Sequence, residues 1–456
     1  MRHIAVIDIG KTNAKVLRVD LATGSETVTA RRPNAVLAGG PYPHFDLPAL
    51  WSFVREGLRD LGRDGPVDAI SITTHGAAAA LVAGDGDLAL PVLDYEHDGP
   101  DALAGAYDAL RPAFPETGSP RLPLGLNLGS QLYWLSERFP DGFARARHIL
   151  TLPQYWAFRL TGVAASEATS LGCHTDLWAP WTGEFSSLVD RMGWRGLFPP
   201  LRPAATRLGP ILPDIATATG LPTDTPVLCG IHDSNASLLP YLGREGALSV
   251  LSTGTWMIAM ALGGVTAPLD PTRDVLVNVN AKGQPTPTAR AMAGREFDEV
   301  TKGRMVTPTP QEERAVLGRP TLALPSHHPD TGPFPGQDFA WVPGEPETDG
   351  ERTAAASFQA ALTGAECLRL IGAAGPTYVE GPFGANRAFA RMLATATGRP
   401  VIATGQGAGT GLGAALLAGP LHSARPDPAP VLPEADPLWR AYAARWRAEV
   451  AARQAM

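Results

Sequence analysis

Cysteine is scarce. The chain has three in 456 residues, Cys173, Cys229 and Cys367. An odd, widely spaced set makes neither a disulfide framework nor a zinc pattern, so each is read as a small buried residue. Positive charge is short as well. Lysine and arginine total 38 against 45 acidic residues, a formal net charge of −7, which argues against nucleic acid or an anionic membrane as partner. A small anionic ligand stays open, because it needs only local positive potential. No run of about twenty apolar residues occurs, which excludes a membrane-spanning helix. The opening residues show no basic segment leading into a long apolar core, so no signal peptide is expected and the expected location is cytoplasmic. What remains is 44% hydrophobic and 18% charged, the balance of a soluble globular protein. Its 456 residues are too many for one ordinary core and suggest two or three domains.

The first twenty residues carry the clearest pattern. An apolar run from Ile4 to Ile9 contains one carboxylate, Asp8, and ends at Gly10. Lys11, Thr12 and Asn13 follow as a polar turn, and alternation resumes through Val16 and Val19. This reads as strand, tight turn, strand. Ala5-x4-Gly10-Lys11-Thr12 also fits a loose P-loop pattern. A P-loop needs a strand before its first small residue and a helix after Lys-Thr. Here the would-be loop is itself the strand, and β-branched alternation follows Thr12. The better reading is a phosphate-binding hairpin, with turn amides toward a triphosphate and Asp8 toward its magnesium.

Farther along, three strands are expected over residues 1–33 and a helix over 46–61 with Asp46 as N-cap. Strands are expected over 67–73 and 77–82, and helices over 129–138 and 152–160. Residues 180–212 read as irregular surface. An apolar strand, 226–231, runs into His232-Asp233-Ser234-Asn235 and a helix to about 242. A boundary is placed near 243–246. The second half restarts with a strand over 247–251, the turn Ser252–Thr255 and a strand over 256–262. A helix over 354–374, a strand over 377–380, a Gly-rich turn over 381–387, a helix over 388–397, a strand over 400–403 and a small-residue helix over 409–417 complete it. Residues 308–351 are left unassigned. Two halves opening alike suggest an internal duplication.

The motifs together resemble those of the FGGY carbohydrate kinases. Asp8-Ile-Gly-Lys-Thr-Asn-Ala-Lys15 is similar to their first phosphate motif, and Pro226–Ala236 to the segment bearing their catalytic aspartate. Leu251–Thr255 is similar to their second phosphate motif, Gly381–Asn386 to their adenosine motif, and Gly409–Leu417 to their closing helix. The order is the family's throughout. The resemblance implies an α/β chain of two ribonuclease-H-like, actin-like ATPase lobes with a central cleft. Residues 1–243 would carry the sugar, the catalytic base and the first phosphate motif. Residues 244–456 would carry the second phosphate motif and the adenosine site. The overall pattern looks loosely nearest the fuculose and rhamnulose kinases.

The implied activity is ATP-dependent phosphorylation of a hydroxyl of a ketose or deoxyketose. Asp233 would be the general base, and Asp8 with Asp233 would serve Mg²⁺. Gly10, Lys11, Thr12, Asn13 and Lys15 would contact the nucleotide at the first turn, and Thr253, Gly254 and Thr255 at the second. Gly381, Gly384 and Asn386 would sit by the adenosine. His75, Asp94, Tyr95, Asn127, Gln131 and Asp233 would face the sugar, with Glu96 a rival to Asp94. Each has a plainer reading: Asp233 as a helix N-cap, His75 as a structural histidine, Thr255 as a strand former. Lys11 stays open between adding charge at the turn and pointing to solvent. The expected partner is a small-molecule sugar, with no nucleic acid and no membrane, and a homodimer is allowed. Two rivals differ in kind. A P-loop NTPase would need Lys11 and not Asp233. A non-catalytic actin-like ATP-binding or sugar-sensing protein would bind nucleotide without sugar-dependent ADP release.

Overall fold

The computed structural model describes residues 1–405, 409–422 and 426–454. The chain divides into two compact units. The first comprises Met1–Gly243, Val277–Pro285 and Ala408–Ala424; the second comprises Arg244–Leu276, Thr286–Gly407 and Arg425–Met456.

The first unit is built on a seven-stranded sheet. Strand His3–Ile9 is central. It pairs antiparallel with Asn13–Asp20, which pairs antiparallel with Ser25–Pro33. On its other side it runs parallel to Ala69–Thr74, and that strand runs parallel to Pro226–Leu228 and Ile231–His232. The expected meander is therefore present, and no helix follows Lys11-Thr12. Strand alternation divides the first strand between two cores. Ala5, Ile7 and Ile9 join Val54, Leu58 and Trp156 on one face; Ile4 and Val6 join Leu412, Ala414 and Ala415 on the other. The first face is covered by helix Leu47–Arg63, where the Asp46 side chain accepts from the Ala49 amide at 3.0 Å. The second face is covered by helix Gly409–Ala415.

The second unit repeats the order. Strand Leu248–Thr253 pairs antiparallel with Met257–Leu262 and parallel with Thr377–Glu380. Pro285–Ala291 and Val401–Gly405 extend the two sides. Both sheets thus place a central strand between an antiparallel neighbour and a parallel one, as a duplication requires. The core of this unit surrounds the 22-residue helix Asp349–Leu370, whose apolar residues are buried on nearly every side.

Four expectations need correction. The strand expected over 226–231 is broken: Gly230 sits at φ +91°, and a Cβ there would lie 3.1 Å from the Ile72 carbonyl oxygen. Residues 180–212 are surface only in part, since Leu188, Val189, Trp194 and Phe198 join a core. The 308–351 stretch contains helix Pro310–Gly318, closed by a capping box between Thr309 and Glu312. The long helix starts at Asp349, five residues before the expected position, with Thr348 as its cap. The three cysteines are buried, as expected, and form no disulfide among the described residues. Among the described residues no helix is long and apolar enough to cross a membrane.

Candidate active site

Three adjacent parallel strands of the first unit end at the same level. Register sets Asp8 opposite Thr73, and His232 opposite Thr74. The chain then continues into His75 after the middle strand and Asp233 after the outer one. Asp8, His75 and Asp233 therefore line one sheet edge, at the carboxyl ends where ligands of open α/β sheets gather. Two strand spacings separate the outer carboxylates, on the order of 10 Å between backbones.

Asp8 is 6% exposed. Burial raises its carboxyl above the ordinary range, and the Asp233 charge adds to that. Lys15 and the Thr410 hydroxyl work against the rise. Lys15 Nζ lies 3.4 Å from Asp8 Oδ2, and Thr410 Oγ1 donates to the same oxygen at 2.8 Å. The hairpin closes with Gly10 N–H donating to the Asn13 carbonyl at 2.9 Å. Asn34 holds the turn from outside, its amide nitrogen donating to the Gly10 carbonyl at 2.9 Å. Thr12 is left exposed, and Asn13 reaches its hydroxyl at 3.1 Å.

Asp233 opens helix Asp233–Leu238. Its side chain is 29% exposed, yet the carboxyl is enclosed enough that burial raises its pKa, opposed by His75 and by hydrogen bonds from Ser234. The Ser234 amide donates to Oδ1 at 2.6 Å, and His232 Nε2 lies 3.2 Å from the same oxygen. His232 Nδ1 faces the Asn235 amide nitrogen at 3.4 Å. An amide nitrogen can only donate, so Nδ1 accepts and Nε2 carries the proton toward Asp233. Burial lowers His232 to about 4, so the ring is neutral and orients the carboxylate without neutralising it. Gly76 makes room for that ring: a Cβ there would lie 2.7 Å from Nε2.

His75 is neutral for the same reason, with burial the largest cause. Its Nδ1 lies 2.8 Å from the Gly76 carbonyl oxygen, so Nδ1 carries the hydrogen. That leaves Nε2 as a buried acceptor with no hydrogen-bond partner among the described residues. Phe45 and Tyr95 flank the ring at 5.0 and 5.6 Å.

Lys11 does not point to solvent. Its ammonium pairs with Asp94, lies 3.2 Å from Glu96 Oε2, and sits over the Tyr95 and Phe45 rings at 4.6 and 5.1 Å. Its charged partners are thus among the residues expected at the sugar. Asn127 also differs from expectation. It is fully buried, donates to Ser119 Oγ and to the Pro120 and His174 carbonyls, and accepts from the Leu122 amide, so its polar atoms are engaged in holding that loop. Gln131 ties the Ala77 and Gly125 carbonyls together beside Tyr95.

In the second unit Gly254 and Thr255 are exposed at the turn after Leu248–Thr253. The Thr253 hydroxyl is taken, donating to the Glu380 carbonyl and accepting from the Phe383 amide. Asn386 caps helix Arg387–Thr397 through Oδ1 and donates to Ser357 Oγ at 2.9 Å. Gly381 adopts φ +81° and packs on the Thr253 carbonyl. Beside Gly384, an open pocket of about 630 Å³ is lined by Met305, Val306, Pro382, Asn386 and Arg387 among others.

Four functional candidates escaped sequence reasoning. His232 stands within the quoted motif, and its place next to Asp233 was the available signal. Thr410, Asn34 and Glu167 act through long-range contacts that one sequence does not display. Glu167 is buried, and accepts from Thr169 Oγ1 at 2.6 Å, while that hydroxyl accepts from the His232 amide at 3.1 Å.

Comparison with known proteins adds to this geometry. The family model for the FGGY family of carbohydrate kinases, N-terminal domain, matches residues 114–240, and that for the C-terminal domain of FGGY carbohydrate kinase matches 245–427. A crystal structure of a carbohydrate kinase from Novosphingobium aromaticivorans is 39% identical, with 99% of each chain covered and a TM-score of 0.90. A ligand-bound xylulose kinase from Lactobacillus acidophilus shares the fold at 16% identity, TM-score 0.78, with 99% of this chain and 97% of that one covered. The L-fuculokinase of Salmonella typhi is 27% identical over 273 residues, a stretch spanning 57% of each chain. This chain belongs to the FGGY family of carbohydrate kinases.

Proposed function

We propose that the protein transfers the γ-phosphoryl group of ATP to a hydroxyl of a ketose or deoxyketose, with Asp233 as general base. The observation that carries this reading is the convergence of Asp8, His75 and Asp233 on one sheet edge. The unpartnered His75 Nε2 supports it, because a buried acceptor without a donor suits a sugar hydroxyl. Relatives named L-fuculokinase, rhamnulokinase and xylulose kinase favour a ketose.

In this reading the sugar lies against His75, Tyr95 and the Lys11–Asp94 pair. The neutral His232 holds the Asp233 carboxylate, which takes the proton of the hydroxyl as that oxygen attacks phosphorus. Lys15 contributes positive charge near the transferring group, and the Gly254–Thr255 turn contributes backbone donors. The pocket beside Asn386 suits the adenosine. Asp8 and Asp233 fit a magnesium ion, since burial and, to a lesser degree, the Asp233 charge raise the Asp8 pKa, and magnesium needs only one or two protein carboxylates besides phosphate and water. When bound, the ion would neutralise charge on the phosphates.

The test is coupled ADP release across fuculose, rhamnulose, xylulose and ribulose, with glycerol and gluconate for contrast. Asp233→Asn should lower kcat by about 10²- to 10⁴-fold with an unchanged melting temperature. Unchanged turnover would remove Asp233 from the mechanism. Nucleotide binding with no sugar-dependent ADP release from the parent protein would favour the non-catalytic reading.

A further inference from the structure

The second unit holds another pocket, of about 590 Å³, lined by the ends of helices Asp349–Leu370 and Arg387–Thr397 and by helix Pro437–Gln454. Nothing in the kinase reading uses it. Its floor is apolar: Phe334, Trp446 and Val450 are each at most 4% exposed. Its wall is basic. Arg273, Arg369, Arg399 and Arg447 line it, with Glu366 as the lining carboxylate. Four cations against one anion leave a local excess of three positive charges in a chain whose net charge is −7.

Glu366 is already engaged. It accepts from Arg273 Nη2 at 2.7 Å and from Arg369 Nη2 at 2.6 Å. Arg399 and Arg447 have no carboxylate within ion-pair distance among the described residues. Arg447 donates to the Ala396 carbonyl at 2.6 Å. Arg399 Nη1 is buried with no hydrogen-bond partner among the described residues, and burial lowers the pKa of that guanidinium. A guanidinium nitrogen buried without an acceptor is costly unless an acceptor arrives.

We propose that this pocket binds a small organic anion, one bearing phosphate or carboxylate groups beside an apolar face. Arg399 and Arg447 would take the anionic group, because the planar guanidinium matches both phosphate and carboxylate in bidentate geometry. Trp446 and Phe334 would carry the apolar part. The site is distinct from the residues assigned to phosphoryl transfer, so its ligand is neither the sugar nor the nucleotide of the reaction.

The experiment is isothermal titration of the full chain with 1-naphthyl phosphate, pyrophosphate and citrate, with and without saturating ADP. The parent protein should bind 1-naphthyl phosphate with ADP present, and the pyrophosphate and citrate arms separate phosphate from carboxylate preference. Arg399→Ala and Arg447→Ala should each weaken binding at least about tenfold, while sugar-dependent ADP release without added anion is unchanged. Arg399→Lys, which keeps the charge, guards against a folding defect and should restore part of the affinity. Absence of binding by all three anions overturns the proposal. So does affinity that ADP abolishes or that the arginine variants leave intact.

Discussion

Substituting Lys11 separates the readings of the opening hairpin. In the structure its side chain is 17% exposed and that of Asp94 is 9% exposed. Replacement by methionine keeps the apolar contacts with Phe45 and Tyr95 and removes the charge. Asp94 is then left with one donor, the Glu96 amide at 3.3 Å. Removing one partner of a fully buried pair costs about 3–5 kcal/mol. This pair reaches the solvent edge, so about 2 kcal/mol is the fitting figure. If Lys11 frames the sugar, that loss falls on sugar affinity, about thirtyfold in KM, with the KM for ATP changed by less than about threefold. The assay is ADP release with each substrate varied in turn. Asp94→Asn and the double variant complete a cycle whose coupling should be about 1–3 kcal/mol. A rise in the KM for ATP with none for the sugar would refute this reasoning and return Lys11 to the phosphates.

Three further outcomes follow from named contacts. Thr410→Val removes a donor from Asp8. With burial already raising that carboxyl, the acid limb of kcat/KM should move up by about one pH unit; an unmoved limb would mean Asp8 does not titrate in the free enzyme. Glu167 is pushed up to about 7 from an ordinary 4.5, chiefly by burial. A raised folded-state pKa gives stability that is full below about 4.5 and lost as pH rises through about 7, worth about 3 kcal/mol. Glu167→Gln should therefore flatten the melting temperature between pH 5 and pH 8, and parallel curves for variant and parent would contradict this. Gly381→Ala places a Cβ against the Thr253 carbonyl at positive φ. It should cost about 2 kcal/mol or more, lowering the melting temperature and ADP affinity together, whereas a native melting temperature would show that the turn can relax.

The hairpin was legible because its cues are local: an apolar run, one carboxylate, a glycine stop and renewed alternation. The repeated sheet order was legible for the same reason, since Leu248–Thr253 restates the pattern of His3–Ile9. The short elements between 180 and 212 were not, because a two-residue strand and a five-residue helix show no periodicity even when Trp194 and Leu188 are buried. Helix Pro310–Gly318 carried a readable signal in Thr309-x-x-Glu312. Helix Pro437–Gln454 gave little, its tryptophans being diluted by alanine and arginine. Side-chain duty was the least accessible level. Asn127 has the chemistry of a ligand residue, and only the loop around it shows that its polar atoms are engaged. Lys11 belongs to Asp94, 83 residues away, and Asp8 to Thr410, 402 residues away.

The helix Gly409–Ala415 that closes one face of the first sheet bears on how the protein is made. Ile4, Val6, Leu17 and Val19 emerge from the ribosome early, yet the residues that cover them, Leu412, Ala414 and Ala415, emerge some four hundred positions later. Gly413 lies so close to the Ala236 carbonyl that no larger residue fits, and Ser71 donates to the Ala414 carbonyl at 2.6 Å. Until that helix arrives, part of an apolar sheet face stays bare while most of the second unit is synthesised. A nascent chain in that state exposes apolar surface of the kind that chaperones bind. A gene fragment ending near Gly243 would encode a sheet lacking the Leu412, Ala414 and Ala415 part of its cover.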